Sequence, residues 1–271
     1  MDERSDVTGF GRIDEQSDPD YFVAFVDEAN AIPAVVELEE AAIPELRLAS
    51  GMRVLDLGCG TGEDSRRLAA LVAPDGEVVG IDASEAMVAA ARQRAEGTGL
   101  PVTFHVGDAM RLDLPTESFD AVRCERMLVH VPDPVVVLGE MVRVARRGGR
   151  IVVIDIDFDG VLLDLADLDR DFVRRAVHGM SDALAAGRIG RSLPRLFREA
   201  KLDDVRYRTS LLDFPYDFAR NVIPGMLVGA VAAGSLTAAE ADTVVEALDR
   251  AEQDGGLHCA MPFYIVSGTR P

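Results

Sequence analysis

Apolar and polar positions along the middle of the chain predict strands and helices in turn. Arg53–Leu57 is a short apolar run, and Leu68, Leu71 and Val72 recur behind it at helical spacing. Glu77–Asp82 repeats the theme, with Val78-Val79-Gly80-Ile81 ending in an acid. A second helix then reads from Glu85 to about Glu96, with Ser84 as its candidate N-cap and Gly97 and Gly99 as its stop. Val102–Val106, Phe119–Cys124 and Arg150–Ile156 read as further strands, and a helix from Pro134 to about Ala145 follows the breaker Pro132-Asp133-Pro134. Such alternation predicts a doubly wound α/β fold with helices on both faces of a mostly parallel sheet. The near-continuous apolar strands fit burial on both sides.

The flanks are patterned differently. Met1 to about Pro19 is polar and reads as a disordered or loosely docked arm. Tyr21, Phe22, Phe25 and Val26 form one apolar stripe of a short helix, and Pro33 opens a second helix that Ser50-Gly51 stops. No strand–helix–strand unit needs these two helices, so they are expected across a pocket mouth. After Asp157 the pattern predicts helices over Val161–Ala186 and Leu193–Ala200, then a strand over Asp204–Leu212. Helices from Phe214 to about Gly234 and over Thr237–Ala251 follow, the latter opened by a capping box of Thr237 and Glu240. Met261–Gly268 reads as the last strand. The expected organisation is an arm with cap helices over 1–49 and a ligand-binding α/β core over 50–157. Cap insertions with the last core helix and two edge strands take 158–271. The sheet is expected to have seven strands, the last two forming an antiparallel edge pair.

Chemistry concentrates where the predicted strands end. Asp56-Leu57-Gly58-Cys59-Gly60-Thr61-Gly62 closes the first strand with three alternating glycines, more than a plain turn needs. A helix N-terminus follows, with free N–H donors suited to an anionic group. Asp82, twenty residues after Gly62, ends the second strand, where a carboxylate can accept both ribose hydroxyls of a nucleoside, or simply cap a helix. Met87, on the next helix, suits an adenine face or simple core. Gly107-Asp108-Ala109 ends the third strand, where a carboxylate can accept an adenine amino group and the Ala109 N–H can donate to a ring nitrogen. Cys124 and Glu125 end the fourth and are expected to touch the same ligand through their backbones, although Glu125 and Arg126 equally suit a surface ion pair.

Charge and cysteine usage narrow the partners. The formal net charge is −19 with a pI near 4.5, and Lys201 is the only lysine. Such a surface repels phosphate backbones and anionic lipid, which argues against nucleic-acid and membrane partners. Cys59, Cys124 and Cys259 are scattered without a Cys-x-x-Cys pair, so neither a disulfide framework nor a metal site is expected. The N-terminus lacks a basic start and an apolar core, and no apolar run is long enough to span a bilayer, which predicts a cytoplasmic protein.

Taken in order, Asp56-x-Gly58-x-Gly60-x-Gly62, Gly80-Ile81-Asp82-x-Ser84, Gly107-Asp108-Ala109, Phe119-Asp120-x-Val122 and Arg147-Gly148-Gly149-Arg150 resemble class I S-adenosylmethionine-dependent methyltransferases. The similarity is to the small-molecule group related to quinone C-methyltransferases and natural-product methyltransferases, and it covers roughly residues 50–157. The resemblance implies S-adenosylmethionine as cofactor, the methionine part at Gly58 and Gly60, the ribose at Asp82 and the adenine at Asp108 and Ala109. It further implies an aromatic cover near the N-terminus, for which Tyr21 and Phe22 are the candidates, core packing being the alternative. Methyl transfer from a sulfonium is an in-line displacement that needs alignment and exclusion of water. An oxygen acceptor benefits from a base, and His130, just after the fourth strand, is the first candidate; a histidine satisfied by local backbone is the alternative. His178 and His258 are further pocket candidates, and His105 reads as structural.

The expected activity is methylation of a small, fairly apolar metabolite of polyketide, terpenoid, quinone or phenol type. The alternative keeps the fold and cofactor pocket for a cyclase, a decarboxylase or a non-catalytic binding protein. Asp157-Phe158-Asp159-Gly160 also resembles a haloacid-dehalogenase phosphatase motif, but that reading leaves Met52–Arg150 unexplained. A calcium loop beginning at Asp155 fails at its twelfth position, which is Ala166. These acids are expected to turn the chain into the cap or to orient a substrate.

Overall fold

The computed structural model describes residues 7–16 and 18–271, and an eight-stranded sheet runs through its centre. β1 (Arg53–Leu57), β2 (Glu77–Asp82), β3 (Val102–Val106), β4 (Phe119–Glu125) and β5 (Ala145–Ile156) are parallel, in the spatial order β3-β2-β1-β4-β5. Their apolar runs hold Val54, Leu55, Val122 and Val153 at no solvent exposure, as strands covered on both faces require. The order reverses between β1 and β4, which leaves a crevice at their carboxyl ends, the place where such sheets bind ligands.

β8 (His258–Thr269) is antiparallel to β5 on one side and to β7 (Asp203–Asp213) on the other. The antiparallel edge pair is therefore present, with the final strand inserted inside the edge. An eighth strand, β6 (Leu162–Asp164), pairs with the start of β8. It lies in a stretch expected to be helical; only α6 (Arg170–Asp182) is helical there, because the apolar pair Leu162-Leu163 finds a sheet edge before any helical repeat begins.

Helices α3 (Glu63–Val72), α4 (Glu85–Ala95), α5 (Pro134–Val144) and α7 (Ile189–Glu199) connect the strands. Local chemistry sets their starts. The Ser84 hydroxyl accepts from the Met87 N–H, and Asp133 accepts from the N–H groups of Val135 and Val136 with Pro134 at the first helical position. Bordering the cavity at the carboxyl ends are α1 (Pro19–Asn30), α2 (Pro33–Ala42) and α8 (Tyr216–Ala232), with α6 and α9 (Ala238–Gln253) packed against α8. Both halves of the Thr237/Glu240 capping box form at the start of α9. α2 ends sooner than expected, at Ala42, and continues as a 3-10 turn over Ile43–Leu46; Pro44 has no N–H to extend the α-helical pattern.

The expected N-terminal arm is docked where it is described. Val7–Glu15 forms 3-10 turns with a kink at Arg12, and Ile13 is buried. The rest of that expectation, over residues 1–6 and 17, lies outside the described residues. Among the described residues no helix is long and apolar enough to cross a membrane.

Candidate functional site

The carboxyl ends of β1, β2, β3 and β4 border one cavity of about 330 Å³. Gly58, Gly60, Asp82, Asp108 and Ala109 all line it, so the residues predicted at three strand tips converge on one crevice. The loop after β1 is held there by its neighbour strand. Gly58 and Cys59 donate to the Ile81 carbonyl at 2.7 and 3.0 Å, and the Gly60 N–H donates to Asp82 Oδ2 at 2.9 Å. Asp82 Oδ1 accepts from Ser84 N at 3.0 Å, and the Asp82 carbonyl takes the Gly107 N–H at 2.9 Å. Asp82 thus ties three strand ends together.

The glycines differ in what they do. A Cβ on Gly58 would sit 2.7 Å from the Met127 side chain, whereas a Cβ on Gly60, at φ +49°, would meet only Val26 at 3.8 Å. Gly60 therefore leaves open space in front of the backbone and adopts a left-handed conformation that a side chain would strain. Each Asp82 oxygen accepts one backbone N–H and retains a second acceptor position. Burial raises the Asp82 carboxyl above its ordinary range, against the backbone donors that favour its charge. Met87, 1% exposed, also reaches the wall, and Asp108 Oδ1 accepts from Met110 N at 2.8 Å.

Two predicted residues do not reach the cavity. Cys124 is fully buried beneath it, while its neighbours Arg123 and Glu125 line it; successive side chains of a strand point to opposite faces. Tyr21 sits one turn too early on α1. The wall is formed by Phe25 and Val26, and Phe22 is buried against Met87. The aromatic cover comes instead from Phe25 and from Phe10 of the N-terminal segment. Phe10 lies 5.1 Å, ring centre to ring centre, from His130. Nothing in periodicity announces Phe10, although an aromatic between Gly9 and Gly11 in a polar stretch is a signal of a kind. Gly11 passes so close that a Cβ there would lie 3.2 Å from the His130 carbonyl.

Beside the glycine loop lies a charge network that the sequence did not announce. Arg123, 5% exposed, donates to Asp56 at 3.0 Å and to Asp64 at 2.7 Å, and pairs with Glu125. Asp56 also accepts from the Ser65 hydroxyl at 2.6 Å, so the acid opening the glycine motif is an anchor for Arg123. Glu125 and Arg126 do pair, but in the interior, with Arg126 Nε 3.0 Å from Glu125 Oε1. Arg126, at φ +47°, also donates to Asn30 at 2.5 Å and to Glu39 at 3.2 Å, linking the tip of β4 to α1 and α2. Oxygens of Glu39, Asp64 and Glu125 lie within 4.8 Å of one another. Burial and the facing carboxylates of Glu125 and Asp64 push Glu39 up to about 8, so it carries a proton at neutral pH. Burial likewise raises Asp56 and Glu125, whereas Arg123 and Arg126 outweigh burial at Asp64 and lower it.

Much of the remaining wall is apolar. Ile156, Phe158, Phe214, Phe218, Met226 and Phe263 line it, and ring contacts join Phe25, Phe218, Phe214 and Phe263 into one apolar side, the acceptor half below. His130 is the titratable group there. It sits in a short 3-10 turn (Leu128–His130), and its buried Nδ1 has no hydrogen-bond partner among the described residues. Burial holds the imidazole near 4, so it is neutral at physiological pH. Beneath that turn Asp155 is wholly buried at the end of β5 and accepts from Val129 N at 3.3 Å. His178 and His258 stay outside this cavity, and His105 is exposed on β3. The acids of the phosphatase-like stretch are engaged in ion pairs, Asp157 with Arg191, and Asp159 with Arg188 and Arg191 at 3.2 and 3.0 Å.

A family model described as a methyltransferase domain matches residues 48–201. A 37.1 kDa transposon protein of Streptomyces fradiae is 39% identical over 70% of this chain and 54% of its own length. Methyltransferase GfsG of Streptomyces halstedii is 35% identical over 48% of this chain and 46% of its own. Demethylmenaquinone methyltransferase of Geobacillus kaustophilus is 39% identical over 43% of this chain and 50% of its own. The chain therefore spans about half the length of these curated relatives. Among solved structures, the YcgJ protein of Bacillus subtilis superposes with TM-score 0.60 at 21% identity, covering 86% of this chain and 98% of that one. The [4+2]-cyclase SpnF superposes with TM-score 0.53 at 24% identity, covering 87% and 80%. Both likenesses establish the fold.

Proposed function

Since this chain belongs to the methyltransferase-domain family, we propose that it transfers a methyl group from S-adenosylmethionine to a small, fairly apolar acceptor. One observation carries the proposal: Gly60, Asp82 and Asp108 border a single cavity whose other half is apolar and holds a neutral histidine. The residues fit the cofactor. Gly60 leaves the space a bound molecule needs, Asp82 retains an acceptor position on each oxygen for two hydroxyls, and Met87 offers an apolar face beside them. Asp108 and Ala109 stand at the rim where an adenine would lie. Gly58 and the Glu125/Arg126 pair border the place left for the amino-acid end.

When bound, S-adenosylmethionine supplies a methyl carbon made electrophilic by its sulfonium. The chain's own part is to bind, align and dry the site. Asp82 orients the ribose, and Phe10 and Phe25 cover the crevice and exclude water. His130, a neutral imidazole on the cavity wall, is the group that takes the proton of an acceptor hydroxyl as the new bond forms. The apolar side formed by the phenylalanines favours a neutral acceptor, since a charged one would lose its hydration uncompensated.

Titration calorimetry with S-adenosylhomocysteine tests the reading. One saturable site per chain is expected, and no detectable binding by the folded protein would overturn it. By-product release in the presence of an accepted substrate separates methyl transfer from cyclase or decarboxylase chemistry in the same pocket.

A further inference from the structure

Four phenylalanines make a continuous wall along the acceptor half of the cavity. Phe25 of α1 faces Phe218 of α8 with ring centres 5.7 Å apart and planes 32° apart. Phe218 stacks on Phe214 at 5.0 Å and 25°, and Phe214 on Phe263 of β8 at 6.2 Å and 28°. All four line the cavity. They come from a cap helix, the turn between β7 and α8, α8 itself and the inserted last strand, so only the folded chain aligns them. The buried Phe22 meets its neighbours edge-on, Phe10 at 89° and Tyr21 at 90°. The ladder instead keeps successive planes within about a third of a right angle of each other. Met226 and Met261, both buried, add deformable thioether surface to the same half.

We propose that this ladder is an aromatic wall that selects a flat, neutral, ring-conjugated acceptor over flexible apolar molecules of equal carbon count. The inference rests on the acceptor half assigned above. The rings stack on one another, so a flat ring gains edge contacts against the ladder and has few rotors to immobilise, whereas an alkyl chain gains contact area alone and loses rotor freedom. A charged aromatic pays for desolvation against these apolar rings.

The probes are 2-naphthol and 1-decanol, which share ten carbons and one hydroxyl, and 2-naphthoate as the charged counterpart. Binding is measured with and without saturating S-adenosylhomocysteine, on wild type and on Phe218→Leu. Wild type is expected to bind 2-naphthol at least about ten times more tightly than either other probe. Phe218→Leu should lose most of that preference while its affinity for 1-decanol and for S-adenosylhomocysteine stays within about twofold. Phe214→Leu gives a second reading of the ladder should Phe218→Leu fail to fold. Equal binding of the two alcohols, no binding of 2-naphthol, or equal losses for both alcohols in the variant would overturn the selective role of the ladder. Failure of S-adenosylhomocysteine to bind would instead overturn the methyl-transfer reading, and the naphthol–decanol comparison without it would still judge the ladder.

Discussion

Asp14 accepts a hydrogen bond from the Ser84 hydroxyl at 2.7 Å, joining the N-terminal segment to the first turn of α4. The same carboxylate accepts from the N–H groups of Glu85 and Ala86 at 2.7 and 3.3 Å. Phe10, in the same segment, lines the cavity. Asp14→Ala is expected to weaken cofactor binding several-fold and to speed hydrogen exchange in residues 7–15, with the sheet unaffected. These donors outweigh partial burial and lower the Asp14 carboxyl below its ordinary range. Its contribution is therefore present above the ordinary carboxylate pKa and is lost as pH falls through the lowered one. Protection of the segment, corrected for the intrinsic pH dependence of amide exchange, should fall on acidification in wild type and not in the variant.

His130→Ala is expected to lower kcat for a hydroxyl acceptor by about a hundredfold with cofactor affinity retained. The pH profile is the sharper check. Burial holds the folded imidazole near 4, below the free value of about 6.5. The residue is then an unprotonated acceptor throughout the neutral range, and kcat/KM should show no acid limb near 6.5. The depressed value also means that its contribution to stability is intact above about 6.5 and is lost as pH falls toward 4.

Asp155 behaves in the opposite sense. Burial raises it to about 7 despite the backbone N–H groups of Ile156, Val129 and Leu128 that favour its charge. A carboxyl raised in the fold stabilises most below its free pKa, and that advantage disappears as pH rises through 7. Asp155→Asn cannot ionise, so its stability relative to wild type should improve from pH 5 to pH 8. Denaturant unfolding at the two values reads this directly, and an unchanged difference would show that Asp155 does not titrate there.

Arg123 answers Asp56, Asp64 and Glu125 in the interior. Arg123→Met leaves those carboxylates without their shared cation, and a loss of about 3–5 kcal/mol is expected from urea unfolding at neutral pH. Glu39→Gln cannot ionise in either state, so its stability relative to wild type should improve as pH rises from about 4.5 to about 8 and level off above that.

What the sequence disclosed and what it withheld divide along physical lines. Gly58, Gly60, Asp82 and Asp108 were legible because parallel strands of near-equal length end at one level, so residues at the ends of apolar runs must meet. Cys124 and Glu125 were named together at the tip of β4, and only Glu125 borders the cavity; a strand buried on both faces shows no period-two alternation to fix that phase. Tyr21 and Phe25 belong to one helical stripe, and only docking decides which turn faces the cavity. Phe214, Phe218 and Phe263 looked like ordinary core residues. Their alignment depends on β8 entering between β5 and β7, a long-range pairing that no local pattern encodes. β6 was hidden because three residues carry no measurable period.

The central claim is that the strand ends jointly grip a sulfonium nucleoside, and Asp82 holds three of those ends together. Calorimetry of S-adenosylmethionine binding to wild type and to Asp82→Ala tests it most directly. Loss of two hydrogen bonds to a charged group predicts affinity at least about tenfold weaker in the variant. Equal affinity of the two folded proteins, or no binding by wild type, would contradict the account.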